Sequence, residues 1–401
     1  MRESADLLTI DLFAGAGGIT EGFRQAGYRS VFANDFNEHA CTTFRQNHPD
    51  TEVVAGPIEG IDAAKVRRSL AMAKGELDVL VGGPPCQGFS INAPERFLED
   101  PRNSLFRHYL RFVDEFAPKL VMMENVPGML SLGGGIIFDR ILAELAGRGY
   151  HTSVRILLAA HYGVPQVRWR TIILGARAAS APSHPEPTHY HVCRPNFRSG
   201  GALTYRQVPL DTLRLKKATT LGDAIRDLPD LVPGGGFEEC DYDKNAVSAY
   251  ARMMREGSSK LFNHTCNAIA GVNLERLRHI PPGGAWTSIP HDMLPAGMKK
   301  AKRGDHTMRY GRLSWDSLSG TMMTKCDPHW GAVFHPEQER TFSVREAARI
   351  QSFPDRYRFL GPRVCQYEQV GNAVPVLLAK AVATQLSQHP LLNQGRLEKC
   401  R

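Results

Sequence analysis

No apolar run in this sequence approaches the ~20 residues that cross a bilayer. Its longest apolar stretches, around Leu77–Val81 and Leu120–Met123, are strand-length. Met1–Asp6 lacks the basic start, apolar stretch and small-residue cleavage site of a secretory signal, so a cytoplasmic protein is expected. Cys41, Cys86, Cys193, Cys240, Cys266, Cys326, Cys365 and Cys400 contain no C-x-x-C pair. That spacing argues against a zinc knuckle or a dense disulfide scaffold, leaves reduced thiols, and gives no metal site to expect. Internal repeats and low-complexity tails are absent too. What is present is ordinary globular composition, 42% hydrophobic and 22% charged over 401 residues, which excludes a disordered chain, a collagen and a coiled coil and suggests two or three domains. The formal charge is +8, and between Ala176 and Tyr310 there are 19 basic residues against 13 acidic ones. A polyanionic partner fits that surplus.

The first part of the chain alternates short apolar runs with helix-like stretches. Strands are expected at Leu7–Phe13, Tyr28–Asn34, Glu52–Ala55, Leu77–Gly82, Leu120–Asn125, Thr152–Leu157 and Thr171–Gly175. Helices are expected at Ile19–Gln25, Glu38–Gln46, Ala63–Ala73, Leu105–Phe116 and Ile137–Arg148. This order predicts an α/β fold, a doubly wound and mostly parallel sheet covered on both faces. Runs such as Leu-Val-Met-Met, apolar throughout, suit doubly covered strands. Ala176–Pro187 reads as a connector. Beyond it, clusters at Pro233–Gly236, Pro281–Gly284 and Pro295–Gly297 predict a smaller, loop-rich second domain. Helical pattern returns at Ser343–Ser352 and Leu377–Leu386. The expected divisions are 1–180, 181–345 and a hinge and C-terminal segment, 346–401, that returns to the first domain.

Three segments carry chemistry. Asp11-Leu12-Phe13-Ala14-Gly15-Ala16-Gly17-Gly18 ends the first strand and opens a helix. Its glycines permit a tight turn and close approach of a ligand, at the strand ends where doubly wound sheets bind cofactors. Asp35 ends the second strand, where a carboxylate accepts from ribose hydroxyls, and Phe36 beside it can stack on an adenine. Asp35 can equally cap the following helix. The turn fits NAD or S-adenosylmethionine, and its G-x-G-G spacing tilts away from NAD. Gly82-Gly83-Pro84-Pro85-Cys86-Gln87-Gly88-Phe89-Ser90 forms a rigid loop after the fourth strand and presents Cys86 at the same edge. Most cysteines are inert small hydrophobes, but the loop and its place favour a nucleophile. Glu124 ends the next strand, where burial can raise a carboxyl and make it an acid. Arg168 and Arg170 alternate onto one side of a later strand and suit an anionic or carbonyl-rich substrate, or else a solvated edge.

In this order the segments resemble the DNA (cytosine-5) methyltransferase family. The resemblance rests on Asp11–Gly18, Asn34–Phe36, Gly82–Ser90, Glu124–Val126, Gln166–Arg170, Arg312–Thr324 and Gly371–Pro375, spread over residues 7–380. It implies an S-adenosylmethionine-dependent methyltransferase fold with a target-recognition domain. It also implies Cys86 as nucleophile, Glu124 at ring nitrogen 3 with Asn125 supporting the loop, Arg170 at the base carbonyl and Arg168 as an orienting neighbour. Asp11, Phe13, Ala14, Gly15, Gly17, Asp35, Phe36, Ile58, Pro84, Leu105, Asn372 and Val374 match cofactor positions. The last two imply a C-terminal helix folded back beside the first strand.

Gly56-Pro57-Ile58 departs from the family's Gly-Asp-Ile, and Ser319-Gly320-Thr321 from Ser-Pro-Thr. The implied partner is double-stranded DNA, bound with one cytosine turned out of the stack. Gln87 and Ser90 would close over that base, and Arg276, Arg278, Lys299, Lys300, Lys302 and Arg303 would contact DNA. The chain is expected to act as a monomeric bacterial modification enzyme, alone or beside a cognate restriction endonuclease. An RNA methyltransferase, a non-enzymatic regulator and an NAD-dependent reductase are the competing readings.

Overall fold

The computed structural model describes residues 7–85, 105–130, 135–194, 214–302, 304 and 308–397. Cys86, Gln87, Ser90 and Arg303 lie outside the described residues. The chain divides into two compact units, one of Met1–Tyr162, Trp169–Leu215 and Val376–Arg401, the other of Gly163–Arg168 and Lys216–Pro375.

The first unit is built on β1 (Leu7–Leu12), α1 (Gly18–Gln25), β2 (Tyr28–Asp35), α2 (Glu38–Asn47), β3 (Glu52–Ala55), α3 (Ala63–Ser69), β4 (Val79–Gly82), α4 (Leu105–Phe116), β5 (Leu120–Asn125), α5 (Ile136–Gly147), β6 (His151–Leu158) and β7 (Trp169–Ala176). The strands form one seven-stranded sheet in the order β3-β2-β1-β4-β5-β7-β6. It is parallel through β5, and only β7 runs antiparallel to its neighbours. The order reverses between β1 and β4, which opens a crevice at the carboxyl ends of those strands. Ile10, Leu12, Phe32, Leu80, Val121, Met123 and Ile173 of the sheet pack with Tyr109, Phe112, Val113 and Phe116 of α4 in one core. This explains why these strands are apolar throughout. Helix Val376–Ser387 packs against α1. Gly22 is essential to that contact, because a Cβ there would lie 2.5 Å from Ala379 Cβ. Tyr28 Oη also donates to Ala383 O at 3.1 Å.

The second unit has the short strands and turns that its proline and glycine clusters predict. Gly236–Cys240 pairs antiparallel with Leu261–Thr265. Three 3-10 turns, Trp286–Ser288, His291–Met293 and Ala296–Met298, bring Trp286, Ile289, Leu294 and Met298 into a core with Leu277, Tyr310 and Phe334. Helix Val344–Ile350 is buried along its whole length, charged residues included. Arg340 is paired bidentately with Glu346 at 2.7 Å, and Arg349 is clamped by Asp355 and Asp227 at 2.6–2.8 Å.

The domain limits read from composition need correction. Residues past 180 stay with the sheet unit, since Tyr162 Oη donates to Pro185 O at 3.0 Å and His161 Nε2 is 3.0 Å from His191 O. Residues 346–375 belong to the second unit, tied by Arg349 to Asp227 and by Tyr367 Oη to Phe342 O at 2.7 Å. Only the segment from Val376 returns to the sheet unit.

Candidate active site

The glycine turn is pinned onto the end of β2. Ala14 N–H donates to Asn34 O at 3.0 Å and Gly15 N–H to Asp35 Oδ2 at 2.8 Å. Phe13, Gly15 and Gly17 all have positive φ, at 58°, 54° and 91°, the region glycine enters without steric cost. Among the described residues, nothing apart from the adjoining residues lies within 4 Å of where a Gly15 Cβ would stand, so the backbone there is open to a ligand. Asp35 is not the cap of α2. That cap is Asn37, which accepts from Ala40 N–H at 3.1 Å, while Asp35 Oδ1 accepts from Asn37 N–H at 2.9 Å. Phe36 next to it is 75% exposed, an uncovered ring beside a carboxylate.

At the end of β4 two glycines permit two close approaches. A Cβ at Gly82 would stand 2.7 Å from Leu12 O, and one at Gly83 would stand 2.9 Å from Glu124 Oε2. Asn125 Nδ2 donates to Pro84 O at 2.9 Å. The segment that leads into Cys86 is therefore clasped from β5, with the Glu124 carboxylate lying against its base. Arg170 completes the rim. Glu124 lies opposite Ile172 in the β5–β7 ladder, which makes Arg170 its diagonal neighbour on the same face. Arg170 Nε is 2.6 Å from Glu124 Oε1, with only 11% and 12% of the two side chains exposed. Burial lowers the Arg170 pKa from its ordinary value, and Glu124 opposes that shift.

Arg168 does not join this pair, contrary to the shared face that alternation suggested. Its guanidinium is buried and donates to Met322 O, Gly371 O and Ala373 O at 3.0–3.2 Å. Gln166, two residues earlier, donates to Gln351 Oε1 and accepts from Met322 N–H, both at 2.9 Å. In the Gln-x-Arg-x-Arg segment the first two polar residues organise the second unit. Among the described residues Arg170, not Arg168, stands beside Glu124, since both terminal nitrogens of Arg168 donate to carbonyls.

The sequence model of the C-5 cytosine-specific DNA methylase family matches residues 7–388. The chain belongs to that family. Type II methyltransferase M.AgeI of Thalassovita gelatinovora is 37% identical over 94% of this chain and 98% of its own length. M.DdeI of Desulfomicrobium norvegicum is 35% identical over 94% of this chain and 88% of its own. The same fold is seen in a prophage-encoded DNA modification methyltransferase of E. coli, with a TM-score of 0.72, 22% identity and coverage of 97% and 100% of the two chains. The protein is thus a DNA (cytosine-5)-methyltransferase, and methylation in this family is S-adenosylmethionine-dependent.

The described residues fit that donor. Asp35 sets a carboxylate at the glycine turn, Phe36 offers a ring face, and among the described residues the space above Gly15 is clear. Several other residues matched to cofactor positions also carry structural contacts. Ile58 has its side chain in the core, and Arg111 donates to its carbonyl at 2.8 Å, fixing the turn that follows Pro57. Pro84 is buried under the Asn125 clasp, and Leu105 packs against the core. Asn372 is exposed at the end of its helix and Val374 is buried, both within the second unit.

Asp11 is fully enclosed. Thr20 Oγ1 donates to its Oδ2 at 2.6 Å, and Oδ1 is buried with no hydrogen-bond partner among the described residues. Burial raises its pKa to about 7. The folded state then binds a proton that the unfolded state releases, so stability falls as pH rises from about 4 toward 7. Asp11→Asn, which keeps an acceptor for Thr20, should lie close to wild type at pH 5 and exceed it at pH 8 by roughly 1–4 kcal/mol. Urea unfolding at the two pH values measures that difference, and equal gaps at both would contradict it.

Among the basic residues expected on DNA, Arg278 is engaged by Glu275 and Glu339, and Arg276 donates to Met293 O and Asn273 Oδ1. Neither is a free cation. Lys299, Lys300 and Lys302 are exposed.

Proposed function

We propose that the chain methylates carbon 5 of a cytosine turned out of duplex DNA at a specific sequence, through a covalent adduct with Cys86. The observation that carries this reading is the clasp of Asn125 on Pro84, with Glu124 against Gly83 and Arg170 beside it. It sets the residue before Pro85-Cys86 at an ion pair suited to a pyrimidine edge.

Carbon 5 of cytosine is a poor nucleophile, and adding a thiolate at carbon 6 shifts ring electrons toward it. As Cys86 bonds to carbon 6, nitrogen 3 takes up the proton the thiol gives up. The Glu124 carboxylate accepts the resulting N–H, and Arg170 donates to the ring carbonyl oxygen. The bound donor supplies an electrophilic methyl group on a sulfonium. With that methyl passed to carbon 5 and its former sulfur left as a neutral thioether, carbon 5 would lose its proton to a base, the electron pair would expel the Cys86 thiolate from carbon 6, and nitrogen 3 would return its proton to the sulfur. Turning the base out costs a few kcal/mol, which contacts from Lys299, Lys300 and Lys302 help offset. The type II relatives support a modification enzyme, alone or beside a cognate restriction endonuclease.

Base-resolution mapping of DNA from expressing cells should show 5-methylcytosine at one sequence. A duplex with 5-fluorocytosine at that site should then form a stable adduct, because fluorine blocks the proton loss that frees the thiol. Cys86→Ala should form none. Absence of any adduct with the wild-type chain would sink the covalent route, and methylation of transfer RNA in preference to duplex DNA would redirect the reading to RNA.

A further inference from the structure

Within the second unit, Met308, Met323 and Trp330 are among the exposed large apolar side chains, 46%, 44% and 56% accessible. They lie together. A Cβ at Gly320 would be 2.9 Å from Met308 Cε, and one at Gly331 would be 3.9 Å from Met323 Cγ. Arg309 lies over the Trp330 ring, 5.0 Å from its centroid. Three rings anchor the patch from the core outward. Phe334 meets Tyr310 at 6.5 Å, Tyr310 meets His329 at 6.0 Å, and His329 meets Trp330 at 5.1 Å. The backbone is fixed as well, with Tyr310 N–H donating to Pro328 O at 2.7 Å and Trp330 N–H to Asp327 O at 3.1 Å.

Arg309 differs from its neighbours. Arg312, Arg340, Arg345 and Arg349 all spend their guanidinium groups on carboxylates or carbonyls. The Arg309 side chain makes no hydrogen bond or ion pair among the described residues, and its contact is the indole face. Stacking fixes the plane of a guanidinium and leaves its edge of N–H donors directed away from the ring. A preset planar fork flanked by thioether and indole surface matches the major-groove edge of bases. There guanine offers O6 and N7 to a fork, and thymine offers a methyl to apolar side chains. The exposed Lys299, Lys300 and Lys325 of the same unit supply charge for the phosphates.

We propose that Met308, Arg309, Met323 and Trp330 form a base-reading surface that sets which DNA sequence is methylated. This deepens the proposed function and rests on it. The occupant is duplex DNA, chosen over a protein partner because an arginine with no ion pair among the described residues, and exposed lysines of the same unit, accompany the apolar surface.

The test is base-resolution methylation mapping of DNA from cells expressing the wild type, Arg309→Ala, Trp330→Ala and Trp330→Phe. It is joined to salt titrations of binding to a random-sequence duplex and to thermal unfolding. Arg309→Ala and Trp330→Ala should unfold like wild type, since Trp330 is exposed and the half-buried Arg309 makes no hydrogen bond or ion pair among the described residues. They should lower methylation of the wild-type site by about 10- to 100-fold, or admit other bases at one or more positions. Their binding to the random duplex should change less than about threefold. Trp330→Phe should restore part of the discrimination. Lys299→Ala/Lys300→Ala should do the opposite, weakening random-duplex binding while the methylated sequence stays the same. Unchanged site and rate in both alanine variants would overturn the surface alone, as would an equal loss of specific and random binding. A wild-type chain that left no 5-methylcytosine would overturn the proposed function and this surface with it.

Discussion

Glu124→Gln should turn over about 100- to 10,000-fold more slowly than the wild type. Glutamine keeps the length and one oxygen, but it removes the charge that faces both Arg170 and the ring N–H. The wild-type carboxylate is 2.6 Å from Arg170 Nε in a site where each partner is about nine-tenths covered. With a neutral amide there, a desolvated guanidinium loses its counterion, and the charge that builds up on the pyrimidine is left unbalanced. Single-turnover rates at saturating DNA and donor separate the chemical step from binding. The rate should fall far more than either affinity, while the unfolding midpoint moves modestly. A rate within about threefold of wild type would take Glu124 out of the reaction.

Arg349→Met should cost the second unit about 3–5 kcal/mol, the usual result of removing one partner from a buried ion pair. Arg349 is fully buried and its donors go to Asp355, Asp227 and Ala224 O. Burial by itself would raise the Asp355 carboxyl, and Arg349 beside it holds it below its ordinary value. Without that guanidinium, Asp355 and Asp227 are left enclosed, with Arg255 on the second and the Tyr242 hydroxyl on the first. The Asp355 carboxyl should then rise, with Arg345 at 4.0 Å opposing the rise, and the variant should regain stability as pH falls from 8 to 5. Urea titrations at both pH values give the sign. Adding Asp355→Asn to Arg349→Met should recover part of the loss, and an equal deficit at both pH values would mean that lost packing dominates.

The sheet was legible because its strands are short apolar runs separated by glycine and proline, and the crevice follows from their order. The rim was legible in part. Strand ends placed Glu124 and the Gly-Gly-Pro-Pro turn together, and Asn125 reached the loop it was expected to support. The pairing of Glu124 with Arg170 was not, because it depends on β7 inserting antiparallel beside β5. Arg168 misled for a similar reason. Alternation fixes the side to which a residue points, whereas its acceptors, Met322 and Gly371, lie 154 and 203 residues further on. The helix at Val344–Ile350 was read from Val344, Ala347, Ala348 and Ile350. Arg345, Glu346 and Arg349 count against burial in any periodicity argument, yet each is enclosed because a distant carboxylate, guanidinium or carbonyl meets it. Arg309 and Trp330 gave no signal in sequence. Nothing there separates an arginine stacked on an exposed indole from one paired with a carboxylate.

The seat of Ala379 against Gly22 sets a timetable for synthesis. When α1 leaves the ribosome, the helix that covers it is more than 350 codons from being made, so Gly22 meets only solvent or a chaperone until translation has passed Ser387. Nascent chains therefore carry the glycine turn on an uncovered helix. A chain cut short before Val376 leaves the first helix unsealed on that face.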